Sequence, residues 1–499
     1  MRRIAFHPPL WALWPAAVLW SENWRVVAAN EVLPLAGLML GATLAAWVAA
    51  RALGLIWTRA ALVVSALTVG LQLLGLLPAG PAIVLVATAA LTAVLVASAM
   101  RLSDGSLVTV TFVLNIAGAA VLVLALVPVM LGWLRAPAPL SVEMPPIVST
   151  AAPAQRDILY VIPDRFGRAD VLRARYNWDL EPFLTALEDR GFQIATHSAA
   201  NYPKTAHSLA AGWNLNYLDH VVAEIPEVAA SDLRLLYPLL QHHHLGGIAT
   251  DLGYDYLHVG SWWAPTTQAS SATRVLTRRG PSQFAKVHLD RTVAPSLLQI
   301  VPGVHYEDFR TFARRHVEHG LAVLKDLGRQ PSSRPRFVIG HLTLPHDPYV
   351  FEPDGSWVPE ELERDRSRAE NYRRQLGFTE VALLDVIDIW LDRPEAEQPI
   401  IVVQADEGPH PPGLFADPYG FHWVDAPDAE QREKLAILTA LHLPGREVEV
   451  PDTLSPVNTF RLVLDAYHGT EFGLLPDRSY VYTSESELYR FTDVSSIVQ

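Results

Sequence analysis

The sequence predicts a multi-pass α-helical membrane domain followed by an α/β three-layer domain with a mostly parallel central sheet. Two observations carry this. From Met1 to about Arg135 charges are sparse and Leu, Ala and Val dominate, in stretches long enough to cross a bilayer. From about Gln155 onward the chain has mixed charge and Pro/Gly punctuation, and short apolar runs alternate with helical spacing, the pattern of strands covered by helices on both faces. A chain of 499 residues also exceeds the usual span of one domain.

In the first part, a span of about 20 apolar residues is met or approached five times: near Pro9 to Val27 (interrupted by Glu22 and Arg25), Leu33 to Leu53, Ala60 to Leu77, Ala82 to Met100 and Leu107 to Leu134. Apolar segments that repeat over 130 residues are not a cleaved leader. Arg2 and Arg3 precede the first span, Arg51 and Arg59 follow the second, and Arg101 follows the fourth. Positive charge gathers on the cytoplasmic side, so five spans place the N-terminus inside and the C-terminal domain outside, with Arg25 and Arg135 against the trend. The spans hold almost no charge of the kind that lines an ion path, which argues against a transporter. Ala136 to Pro153 carries five prolines and reads as an extended tether over 136–154.

In the second part, Asp157 to Pro163, Phe192 to His197, Arg336 to Leu342, Pro399 to Ala405 and Lys434 to Leu443 read as strands; Leu180 to Asp189, Asp308 to Leu327 and Arg368 to Leu391 read as helices. The expected domain is 155–499. Net charge −13 and the lack of a Lys/Arg run give no footprint for nucleic acid, and zero cysteines exclude disulfides, thiolate metal sites and a Cys nucleophile. His242–His244 reads as a solvated helix end.

Ligands of such sheets bind beyond the carboxyl ends of the strands. Those positions hold Asp164 after the first strand, His341 and His346 around the Arg336 strand, and Asp406 with Glu407 after the Pro399 strand. A lone Asp at a strand end is ordinarily a cap, but carboxylates from separate strand ends are what a divalent cation needs. Thr205, at the start of an apparent helix, reads either as a capping residue or as a hydroxyl nucleophile backed by the helix N-terminus, with Lys204 adding charge and Ser208 as the competing hydroxyl. His410 is a weaker candidate in the Asp406 loop.

The order of Asp after a first strand, Thr at a helix start, His-x4-His and Asp-x-Gly after a late strand resembles the alkaline phosphatase and sulfatase superfamily. Within it the chain is similar to the membrane-anchored branch that includes lipoteichoic acid synthases and phosphoethanolamine transferases, over roughly Asp157 to Tyr482. The resemblance implies an alkaline-phosphatase-like fold, Thr205 as a nucleophile that forms a covalent intermediate, and a metal held by Asp164, Thr205, Asp406 and Glu407. His346, His341 and Lys204 then face the substrate. Glu407 stands where the family has His, which makes the expected ligand set all oxygen and favours Mn²⁺ or Mg²⁺, with Zn²⁺ possible as a third choice. The same departure also fits a fold kept as a scaffold or glycan-binding protein. No Cys or Ser lies in the Cys/Ser-x-Pro-x-Arg setting of sulfatases, which disfavours sulfate esters. The expectation is a phospho-group transferase or hydrolase acting on a phosphorylated lipid or envelope glycan, with Trp262, Trp263 and the stretch from Ser261 to Pro302 as walls of its site.

Overall fold

The computed structural model describes residues 4–75, 81–137, 140–142, 156–222 and 225–498. The tether expected over 136–154 and the expected domain start at Gln155 lie largely outside them. The chain divides into two compact units, Met1–Ala136 with Gly280–Phe312, and Pro137–Arg279 with Ala313–Gln499. Residues 280–312, expected inside the α/β domain, therefore belong to the apolar unit.

That first unit contains α1 (His7–Asn23), α2 (Ala29–Ala52), α3 (Trp57–Gly75), α4 (Pro81–Arg101) and α5 (Asp104–Leu134). Among the described residues, α2 to α5 are the four helices long and apolar enough to cross a membrane, and most of their surface is exposed and apolar, as lipid requires. The first unit is a membrane domain. Helix α1, expected as a fifth span, has 17 residues and a length of about 26 Å, at the lower limit for crossing. It packs against α2, α3 and α5.

Short connections make successive helices antiparallel, and the contacts agree. Trp11 Nε1 donates to the Leu114 carbonyl at 3.3 Å, while Trp20 meets Trp133 with ring centroids 5.7 Å apart, so α1 and α5 run the same way. Arg51, Arg59 and Arg101 thus share one end of the bundle, where Arg59 donates to the Leu102 carbonyl at 3.1 Å. Trp47 and Trp57 mark that end, and at the other Trp133 is half exposed, as interfacial aromatics are, over the buried Trp20 and Trp24.

The second unit is built on a seven-stranded sheet of β1 (Ile158–Pro163), β2 (Phe192–Ile194), β3 (Asp255–Val259), β4 (Arg274–Val275), β5 (Arg336–Leu342), β6 (Ile400–Gln404) and β7 (Thr439–His442), in the order β2-β7-β6-β1-β5-β3-β4. Only β7 runs against the rest. Strands β1, β5 and β6 are buried along their whole length, which explains why they read as unbroken apolar runs. Sequence spacing also finds the Arg368–Leu391 helix, but residues 434 and 435, expected in a strand, end the Asp428–Leu435 helix. His243, expected in a solvated helix end, is buried, accepts from Gly246 N–H as an N-cap and bonds Tyr256 Oη at 2.9 Å.

At the amino end of β1, Asp157 accepts from Arg336 N, Nε and Nη2 at 2.7, 3.1 and 2.6 Å and from Arg393 Nη1 at 2.9 Å, with both guanidinia against Trp390. Removing the carboxylate leaves a buried guanidinium uncompensated, so Asp157→Ala is expected to lower stability by about 3 kcal/mol, read as a fall in the urea midpoint of the circular-dichroism transition.

Candidate active site

Three adjacent strands of the sheet, β6, β1 and β5, deliver Asp406, Asp164 and His341 to their carboxyl ends. Strand β1 is followed by Asp164, whose N–H continues the ladder to the Leu342 carbonyl at 2.9 Å. The chain then turns through Arg165, which has φ of 68°, an uncommon conformation for a residue with a side chain. That turn aims the Arg165 N–H at Asp406 Oδ1, 3.3 Å away. After β6 the 406–408 loop runs so close to 433–436 that a Cβ at Gly408 would stand 2.3 Å from the Glu433 carbonyl, which is why Asp-x-Gly ends in glycine here.

Asp164, His341 and Asp406 are buried, and one potential ligand atom from each lies within 4.8 Å of the others. Asp164 Oδ1, His341 Nε2 and Asp406 Oδ2 have no hydrogen-bond partner. Buried polar atoms are seldom left so, and three converging side chains that each carry one fit a bound cation. The electrostatics agree. Burial, Asp164 and Glu407 push the Asp406 carboxyl well above the usual range. Burial alone would raise Asp164 too, but His346, His341 and Arg165 beside it bring it down to about 2. A cation between the two carboxylates removes the cause of the Asp406 shift.

The tautomer of His341 follows from its neighbours. Thr266 Oγ1 donates to the Trp263 carbonyl at 3.2 Å, so it accepts from His341 Nδ1–H at 3.1 Å. Nε2 then carries the lone pair, 3.6 Å from Asp164 Oδ2, as a metal-ligating imidazole needs.

Thr205 is the first residue of the Thr205–Trp213 helix, is half-buried, and its side chain adjoins Asp406. Ser208, the competing hydroxyl, is buried and donates to the Asp406 carbonyl at 2.6 Å. Lys204 turns to Glu485, at 2.7 and 2.9 Å, and so brings a neutralised charge. His346 donates from Nδ1 to the Asp347 carbonyl, and its ring lies 5.8 Å from Trp262, so one expected wall residue adjoins it. Trp263 packs on Tyr237, and the remaining expected wall divides between the two units.

Glu407 lies outside the converging group. Its Oε1 pairs with Lys434 Nζ at 2.6 Å and Arg165 Nε at 3.2 Å, while Oε2 is buried without a partner. Lys434 is fully buried, and burial, with Arg165 nearby, lowers its ammonium to about 8 despite that pairing. Arg165 also pairs with Asp347. Sequence reading missed Arg165, Lys434 and Thr266. Only Arg165, beside Asp164, carried a signal by position. Next to the site, a cavity of about 220 Å³ is lined by Arg165, Arg175, Arg368, His410, Tyr349 and Tyr372 among others.

No protein-family model matches the sequence, and no curated protein does. Several solved structures are similar. The C-terminal periplasmic domain of EcEptC from Escherichia coli has a TM-score of 0.44 and 14% identity over 72% of this chain and 97% of that one. The integral membrane protein lipooligosaccharide phosphoethanolamine transferase A (EptA) from Neisseria meningitidis gives 0.39 and 13% over 92% of this chain and 94% of that one. A 2-O GAG sulfatase gives 0.39 and 12%, over 66% and 78%. The structural neighbours are phosphoethanolamine transferases and sulfatases. At these levels the likeness assigns no residue a role.

Mn²⁺ or Zn²⁺ is expected to raise the melting temperature of the purified protein, and His341→Ala to abolish that rise while Glu407→Gln keeps part of it. Lys434→Met is expected to cost about 3 kcal/mol by stranding Glu407, and Glu407→Gln in the same chain to restore most of the loss, as denaturant midpoints will show.

Proposed function

We propose that the protein is a metal-dependent phospho-group transferase or hydrolase acting on a phosphoester at the outer face of the membrane, with Thr205 as nucleophile. The observation that carries this is the convergence of three buried side chains, Asp164, His341 and Asp406, each with an unpartnered atom, beside a hydroxyl at a helix N-terminus. Asp164, His341 and Asp406 would hold the cation, with Thr205 Oγ adjoining. Two carboxylates and an imidazole suit Zn²⁺ or Mn²⁺ better than Mg²⁺, which shifts the preference away from an all-oxygen set. When bound, the cation supplies Lewis-acid stabilisation of the charge that builds on the phosphoryl oxygens.

The rest is done by the chain. Asp406 accepts the hydrogen of the Thr205 hydroxyl and orients Oγ toward phosphorus. The helix N-terminus places its amides where negative charge gathers. As the Oγ–P bond forms, the bond from phosphorus to the leaving alcohol breaks, and that alkoxide takes up a proton. Water supplies that proton, since His346 commits its Nδ1 hydrogen to a carbonyl and burial favours its neutral ring, whose Nε2 carries none. An acceptor hydroxyl or water then attacks phosphorus and releases Thr205. Arg165, Arg368 and His410 line a cavity suited to the anionic remainder of the substrate. Clustering of Arg51, Arg59 and Arg101 at one end of the bundle supports an outward-facing opposite end, from which the chain passes to the α/β unit. That position supports a lipid-linked phosphate or envelope glycan as substrate.

The test is turnover of bis(p-nitrophenyl) phosphate by the full chain in detergent with Mn²⁺, Zn²⁺ or Mg²⁺. Metal-dependent turnover that falls at least about 10³-fold in Thr205→Ala supports the assignment. Equal turnover in Thr205→Ala would remove Thr205 from the chemistry.

A further inference from the structure

Residues 280–312 fall between β4 and the Phe309–Arg329 helix in sequence but fold with the membrane helices. Ser282 Oγ donates to the Glu31 carbonyl at 3.0 Å, in the first turn of α2, and also caps the Gln283–Asp290 helix by accepting from Ala285 N–H at 3.2 Å. Phe284 and Ala285 enter the apolar cluster of Trp20, Trp24, Val32, Leu35 and Val129. Thr292 lies against the end of α3, where a Cβ on Gly75 would stand 2.6 Å from its Cα, and the Ala294–Leu298 helix packs on α4. Asp290 closes the segment, accepting from Tyr306 Oη at 2.5 Å and Phe309 N–H at 2.8 Å.

The contacts with α1, α2, α3 and α5 fall at one end of the bundle: the end of α1, the start of α2, the end of α3 and the late part of α5. This is the end marked by Trp20, Trp24 and Trp133, opposite Arg51, Arg59 and Arg101. From Val293 to Val304 the chain has no charged residue. That run is too short to span a bilayer. Yet Leu298, Ile300, Val301 and Val304 are 38%, 41%, 46% and 39% exposed, an apolar patch that begins on the helix packed against α4, itself one of the apolar spans.

We propose that Val293–Val304 is a membrane-dipping segment, lying in the headgroup and acyl-chain boundary of the leaflet at the tryptophan-marked end of the bundle. Its occupant is lipid, because the patch adjoins transmembrane helices at the level of interfacial tryptophans and its flanks are fixed to helix ends. The α/β sequence is thereby interrupted to make a second lipid contact, independent of the chemistry proposed above.

The absence of native cysteine makes the test direct. Leu298→Cys, Ile300→Cys and Val301→Cys would each carry a bimane label in the full chain in phosphatidylcholine nanodiscs. Leu124→Cys on α5, 71% exposed, serves as a deep reference and Ser333→Cys, on an exposed turn, as an aqueous one. Lipids with a nitroxide near the headgroup are expected to quench the three labels at least about twofold more than Ser333→Cys, and aqueous iodide to quench them correspondingly less. Labels that follow Ser333→Cys in both quenchers overturn the proposal. Labels shielded from both quenchers also overturn it, since protein and not lipid then covers the patch.

Discussion

Two carboxylates buried a few ångströms apart set the terms for the α/β unit. Asp164 and Asp406 are delivered by neighbouring strands into a core where an uncompensated charge is very costly. Much of what surrounds them reads as compensation. Arg165 turns its N–H onto Asp406 and its guanidinium to Asp347 and Glu407. His341 is fixed with its lone pair toward Asp164, and Thr266 and Trp263 hold it there. Three oxygen and nitrogen atoms are still left without partners, and a divalent cation is the simplest group that satisfies all three at once.

Much of the sheet was legible because burial writes itself into composition. Strands β1, β5 and β6 are covered on both faces, so their sequences are unbroken apolar runs, and the polar residue that ends each run stands out. Asp164, His341 and Asp406 were found that way. The exposed β4, two residues long, leaves no such trace, and β3 is one of several short apolar stretches. Lys434 was invisible for a different reason. It sits in the last turn of a polar helix, where a lysine ordinarily faces water, and only the close approach of the 406–408 loop buries it.

The membrane unit shows the opposite limit. Its helices were readable from length and hydropathy to within a few residues, yet its membership was not. Residues 280–312 carry too few apolar positions in a row to resemble a span, and their partners, Glu31, Trp24 and Gly75, lie more than two hundred residues earlier. Periodicity reports what a segment buries, not which unit buries it. A twelve-residue run without charge, ended by Pro302-Gly303 and still exposed in the fold, was the one local sign.

Glu407 ties these threads together. In the family that the sequence resembles, this position holds a histidine, and replacing a neutral imidazole by a carboxylate would add a third negative charge beside Asp164 and Asp406. The fold supplies a buried ammonium to match it, 2.6 Å away, so the exchange is from a neutral residue to a neutral pair. Removing Glu407 strands the buried ammonium, and removing Lys434 leaves Glu407 with Arg165, which is already shared with Asp347. His341, two strands over, offers a nitrogen to the group of Asp164 and Asp406. The departure from the motif thus comes with a matching cation at Lys434 and with a nitrogen, on His341, beside the two carboxylates.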